Sequence, residues 1–166
     1  MILYRNSVGR LVTVVAAAVA LILVPVATAA ATPAAPAAPQ QIVPLAAGDG
    51  TAQGAIQWFQ AHAGSTGWEG YCEKAVENAW GTTGIWPSAI AHWQGAINAG
   101  KAHPGDKSPP LGAFVYWNTS QFGHVGIADG NGGFYSSSVN GAIGHGGNLN
   151  YFVNYLGWSN PQVPAS

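Results

Sequence analysis

The chain has 166 residues, five basic and six acidic side chains, and a formal charge of −1. That length allows one domain plus accessory segments, and the lack of a basic face argues against a nucleic-acid partner. Hydrophobic residues at 48% exclude an acidic, fully disordered chain, and a single cysteine excludes a disulfide framework within one chain.

The N-terminal third is not part of the working domain. Arg5 and Arg10 precede an apolar run over residues 11–26, which ends in Ala27-Thr28-Ala29. A basic start, an apolar middle and a small-residue end describe a secretory signal peptide over residues 1–29, with cleavage after Ala29 or Ala31. Residues 30–50 are mostly Ala, Pro and Gln and read as an extended linker. Loss of Arg5 and Arg10 leaves three basic and six acidic residues, net −3. Nothing in that balance attracts the mature chain to nucleic acid or holds it at a membrane.

Residues 51–163 form the expected domain. Thr51 can cap a helix carrying Ala55, Ile56, Trp58, Phe59 and His62. A second helix starts near Tyr71, with Cys72, Ala75, Val76, Ala79 and Trp80 at the spacing of one buried face and Glu73 and Glu77 pointing elsewhere. A third has Pro87 in its first turn, then Ile90, Trp93 and Ile97, and stops at Gly100; residues 101–110 read as a loop. The pattern then turns to strands. These are Ala113-Phe114-Val115-Tyr116-Trp117, His124 to Asp129, Phe134 to Val139 after a Gly-Asn-Gly-Gly turn, and Tyr155-Leu156-Gly157-Trp158 after a glycine-rich loop. Helices first and strands after predict an α+β fold, helices packed on a small antiparallel sheet.

Cys72 is the most informative residue. An unpaired cysteine in an exported chain needs a reason. A small buried hydrophobe and an intermolecular disulfide are the plain ones. Its place in the first turn of a helix favours a nucleophile, because exposed N–H groups and the positive dipole end lower a thiol pKa. His124 stands at the head of an apolar strand, where it can reach a helix N-terminus, accept the thiol proton and later protonate a leaving amine.

Together these pieces resemble the papain-like cell-wall hydrolases of the NlpC/P60 and CHAP families over nearly all of residues 51–163. The carriers are Gly70-Tyr71-Cys72 opening a helix, Leu111-Gly112-Ala113-Phe114-Val115-Tyr116-Trp117, Gly123-His124-Val125-Gly126-Ile127 followed by Asp129-Gly130-Asn131-Gly132, and Tyr155-Leu156-Gly157-Trp158. The resemblance implies a papain-like fold, Cys72 as nucleophile and His124 as base. It also implies hydrolysis of amide bonds in peptidoglycan or its stem peptides, without metal or organic cofactor. The expected protein is extracellular, wall-associated and monomeric, either a stem-peptide endopeptidase or an N-acetylmuramoyl-L-alanine amidase. The families place a polar residue on the next strand to orient the imidazole. Gapless alignment of the hairpin puts Ser136 there, with Ser138 and Asn140 as alternatives should the register slip. Serine carries no charge to stabilise an imidazolium. The alternative is therefore a weakly catalytic or purely binding protein of the same fold, whether wall-binding, structural or effector.

Other conspicuous residues carry less. Glu69, Glu73 and Asp129 raise a two-carboxylate glycosidase, but Glu73 is expected on an exposed helical face and Asp129 in a turn. His62, His92, His103 and His145 show no metal-ligand spacing and read as surface or loop residues; His145 can border the cleft. Trp68 and Tyr71, just before Cys72, can line a cleft and stack on a glycan or stem-peptide group.

Overall fold

The computed structural model describes residues 48–161. The expected signal peptide and most of the linker lie outside the described residues. Gly48 packs against the Ala79 carbonyl and Gly81, where any side chain would collide, so the domain already includes the last linker positions.

Three helices precede and pack on one antiparallel sheet, an α+β architecture. Helix α1 (Ala52–Ala61) starts as expected: Thr51 Oγ1 accepts from the Gly54 N–H at 3.0 Å. Helix α2 spans Cys72–Ala79 and buries Ala75, Val76 and Ala79. Helix α3 (Ala89–Asn98) is capped by Ser88, so Pro87 stands just before the cap. Its buried face is Ala89, His92, Trp93 and Ala96, while Ile97 is exposed. That face is rotated from the apolar stripe read in the sequence, because a histidine occupies a core position.

The strands are β1 (Ala102–Pro104), β2 (Phe114–Trp117), β3 (His124–Ala128), β4 (Phe134–Val139), β5 (Ala142–Gly146) and β6 (Tyr155–Ser159), in the order β1-β6-β2-β3-β4-β5. Two of the six were read as loops. β1 is a three-residue edge strand that ends in a proline, as edges tolerate. β5 runs through Gly144 and Gly146 because the Val139 side chain and the Phe134 ring occupy the space a Cβ would need.

Each sheet face has its own core. Phe114, Tyr116, Val125 and Ile127 meet the helices through Phe59, Val76, Trp80 and Trp93. Ala113, Val115, Trp117, Phe134 and Trp158 pack on the other face with Leu149 and Phe152. Trp117 Nε1–H donates to the Leu149 carbonyl at 2.8 Å, which fastens the 147–154 segment over that face.

Glu73 and Glu77 depart most from expectation. Both are buried, at 7% and 1% exposure, and do not face solvent. Glu73 Oε1 lies 2.8 Å from His92 Nδ1, and the His92 ring is packed among Trp86, Phe114 and Tyr116. Burial raises the Glu73 pKa, and the His92 hydrogen bond and charge oppose that. The pair ties the first turn of α2 to α3. Glu73→Ala strands a buried imidazole and should cost about 3 kcal/mol in urea unfolding; a loss below about 0.5 kcal/mol would show that the tie is not structural.

Candidate active site

The site is built where the start of α2 meets the start of β3. Gly70, with φ of +77°, turns the chain into α2, so Cys72 opens the helix among its free N–H groups. Gly123, with φ of +70°, packs against the Ile90 backbone, and Ile90 N–H donates to the Phe122 carbonyl at 2.9 Å. This anchors the 118–123 loop on α3 and delivers His124 to the head of β3. Cys72 and His124 line one cleft of about 720 Å³.

The hairpin register is legible at Gly126. Ile127 pairs with Tyr135 and Ala128 with Phe134, which brings Gly126 against Ser136. A side chain at Gly126 would press on the Tyr135 carbonyl oxygen at 2.7 Å and on Ser136 Cβ at 3.2 Å. With glycine there, Ser136 is fully buried, its Oγ 2.9 Å from His124 Nε2 and 2.6 Å from the Val125 carbonyl oxygen. Serine has one proton, and the carbonyl can only accept it. The hydroxyl therefore donates to Val125 and accepts from His124 Nε2–H. This fixes the neutral tautomer and leaves the Nδ1 lone pair as the basic atom.

The alternatives for the third position are placed differently. Ser138 lines the cleft in a left-handed conformation, φ 63°, at the irregularity between Ser136 and Val139. Asn140 Oδ1 accepts from the Tyr151 hydroxyl instead. Ser136→Ala removes the side-chain acceptor on Nε2 and should slow turnover roughly tenfold without abolishing it. Unchanged kinetics, with a large loss in Ser138→Ala, would move the orienting role.

Electrostatics correct one expectation. The helix position predicts an acidic thiol, yet burial pushes Cys72 up to about 11; the Val125, Glu73 and Cys72 backbone amides only partly offset it, and the Glu73 charge adds to the rise. Burial also pushes His124 down to about 4, against the Ser137 carbonyl. The ring is packed on Phe152 and Trp117, with centroids at 4.2 and 6.0 Å. Thiol and imidazole are thus both neutral around pH 7. Among the described residues no hydrogen bond joins them, so a proton could pass between them only after the ring or the thiol moved.

Tyr71, 59% exposed, stands on the cleft wall. Trp68 does not: it packs edge-on against Trp58 at 5.2 Å, outside the cleft lining. Phe122, 62% exposed, shares the cleft with Tyr71. The one local signal for Phe122 is its place two residues before a candidate base. His145 pairs with Asp129 at 2.7 Å rather than bordering the cleft, and Asp129 Oδ1 accepts the Asn131 and Gly133 amides. His92 is fully buried, not a surface residue. Among the described residues no group of three or more His, Cys, Asp or Glu is placed to hold a metal ion. Family models, curated proteins and solved structures offer no match to this chain.

Proposed function

We propose that the protein is a papain-like cysteine hydrolase, akin to the NlpC/P60 and CHAP enzymes, that is exported and cleaves amide bonds of peptidoglycan stem peptides. The observation that carries this reading is the Ser136–His124 hydrogen bond, which orients the imidazole of a histidine that lines the same cleft as Cys72. On this reading His124 Nδ1 takes the Cys72 proton as sulfur attacks the amide carbonyl. The Cys72 N–H at the helix start faces the developing oxyanion. His124 then gives its proton to the departing amine, leaving a thioester. Water, deprotonated by His124, adds to that thioester; the C–S bond breaks and the thiol regains its proton. The leader read over residues 1–29 and the Ala/Pro linker suit a domain that works outside the cell at the wall, as a monomer without metal or cofactor.

Two observations favour a second reading, a binding protein of the same fold: the group orienting His124 is an uncharged serine, and the thiol is pushed up rather than down. A zymogram on several wall chemotypes separates the two. Clearing by the wild type that is lost in Cys72→Ala and His124→Ala is expected. No clearing on any wall by folded wild type would favour the binder, and clearing that survives Cys72→Ala would end the thiol mechanism.

A further inference from the structure

The 147–154 segment, between β5 and β6, forms no strand and lies outside the cleft lining, yet it touches the cleft's histidine. Three ties hold it on the sheet. Trp117 Nε1–H donates to the Leu149 carbonyl at 2.8 Å. The Tyr151 hydroxyl accepts the Asn140 N–H at 3.0 Å and donates to Asn140 Oδ1 at 3.1 Å. Asn154, left-handed at φ 57°, accepts the Asn118 N–H on its carbonyl at 2.9 Å and donates through Nδ2 to the Asn118 carbonyl at 3.2 Å. Between the last two ties stands Phe152, half-buried, its ring centroid 4.2 Å from that of His124. Strand alternation puts His124 on this same face: its ladder partner Trp117, its acceptor Ser136 and Phe152 surround it there. Cys72 packs instead with the core on the helix side. The imidazole and the thiol thus approach their shared cleft from opposite faces of the sheet. To reach the sulfur the ring must turn from beneath Phe152. A segment held by a few side-chain ties, without a strand ladder, is where local opening costs least.

We propose that the 147–154 segment is a strap that keeps the site latent. Closed, it holds the His124 ring under Phe152 on the strap side of the sheet. Open, it lets the ring turn at the head of β3 toward the Cys72 thiol. Phe152 is then a positioning residue, and the strap regulates the site already described. The inference rests on Cys72 and His124 working as a pair, whatever bond that pair cleaves.

The test needs no hydrolysis, so it stays separate from the peptidoglycan reading. The chain has one cysteine, so intact mass reports its alkylation by iodoacetamide cleanly. Sulfur bonds to the reagent's methylene carbon, iodide leaves, and a freed imidazole takes the thiol proton. At neutral pH Phe152→Ala should alkylate about tenfold faster than wild type, which sets the wild-type open population at about a tenth or less. Tyr151→Phe keeps its ring against Phe134 and Phe152 and loses only the ties to Asn140. It should gain roughly fivefold, the worth of about one hydrogen bond. Both gains should vanish when His124→Gln is added. Val153→Ala, on the same segment but 67% exposed, should match wild type. A Tyr151→Phe rate equal to that of wild type overturns the proposal whatever Phe152→Ala does, including a failure to fold. Gains that persist with His124→Gln overturn it too, because the segment would then only shield the thiol. So does a Val153→Ala gain as large as that of Tyr151→Phe. His124-dependent gains in a protein that clears no wall uphold the strap and count against the peptidoglycan reading alone.

Discussion

Cys72→Ala should lower the rate of amide hydrolysis by about 10⁴-fold or more while leaving the fold intact. The residue is half-buried, is in no disulfide, and loses only its sulfur. The expected loss is large because the hydroxyls and the one lysine that also line the cleft are far weaker nucleophiles than a thiol for the proposed acyl intermediate. His124→Ala should match it, not add to it. With the thiol held up to about 11, the thiolate is a very minor species at pH 7, and the imidazole must take the proton during attack. Cys72→Ser tests the same point: a hydroxyl fits the space but is far less acidic and less nucleophilic. Circular dichroism and urea melts of each variant check that lost activity is not lost structure. A variant that folds and still turns over within tenfold of wild type contradicts the assignment.

The second large effect is in the pH response. His124 must be neutral to act as base, and burial holds its pKa at about 4. kcat/KM should therefore rise through about pH 4 and stay level across the neutral range. A preformed thiolate–imidazolium pair would instead lose activity above the pKa of a raised imidazolium. Stability follows the same group. The imidazole is neutral in the native state down to about pH 4, whereas in the unfolded chain it binds a proton below about 6.5. Stability is thus complete above about pH 6.5 and falls as the pH drops toward 4, by up to roughly 3 kcal/mol. His124→Gln should flatten that slope. Phe152→Ala, which opens the packed face of the ring, should move the activity limb toward pH 6. Urea midpoints measured from pH 4 to pH 8 check the first, and a pH–rate series checks the second.

What could be read in the chain, and what could not, follows from how local each signal is. The α1 cap, the α2 start at Cys72 and the β3–β4 hairpin are encoded by neighbouring residues, so Thr51, Gly70 and the Gly-Asn-Gly-Gly turn announce them. Ser136 comes from the gapless family alignment of the hairpin; alternation alone leaves Ser138 and Asn140 open, because the register across a turn can slip by one or two residues. β5 was not, because Gly144 and Gly146 are glycine for a non-local reason: the Val139 and Phe134 side chains occupy their Cβ positions. The rotated face of α3 and the burial of Glu73 share one cause. His92 and Glu73, polar residues that a hydrophobic pattern assigns to solvent, satisfy one another across two helices. The thiol pKa departs from expectation because a helix N-terminus lowers it locally, while its burial is a property of the assembled cleft.

That buried Glu73 also restores a property a glycosidase needs, a carboxyl with a raised pKa, although Asp129 is spent on its own turn and on His145. The most direct measurement is therefore of bond type. Purified peptidoglycan is incubated with wild type and with Cys72→Ala, and the soluble fragments are assayed for new amino groups, for new reducing ends and by mass. New amines are expected, with fragments that each carry one added water at an amide, no new reducing ends, and none of this with Cys72→Ala. Reducing ends without amines, or amide cleavage that persists in Cys72→Ala, would contradict it.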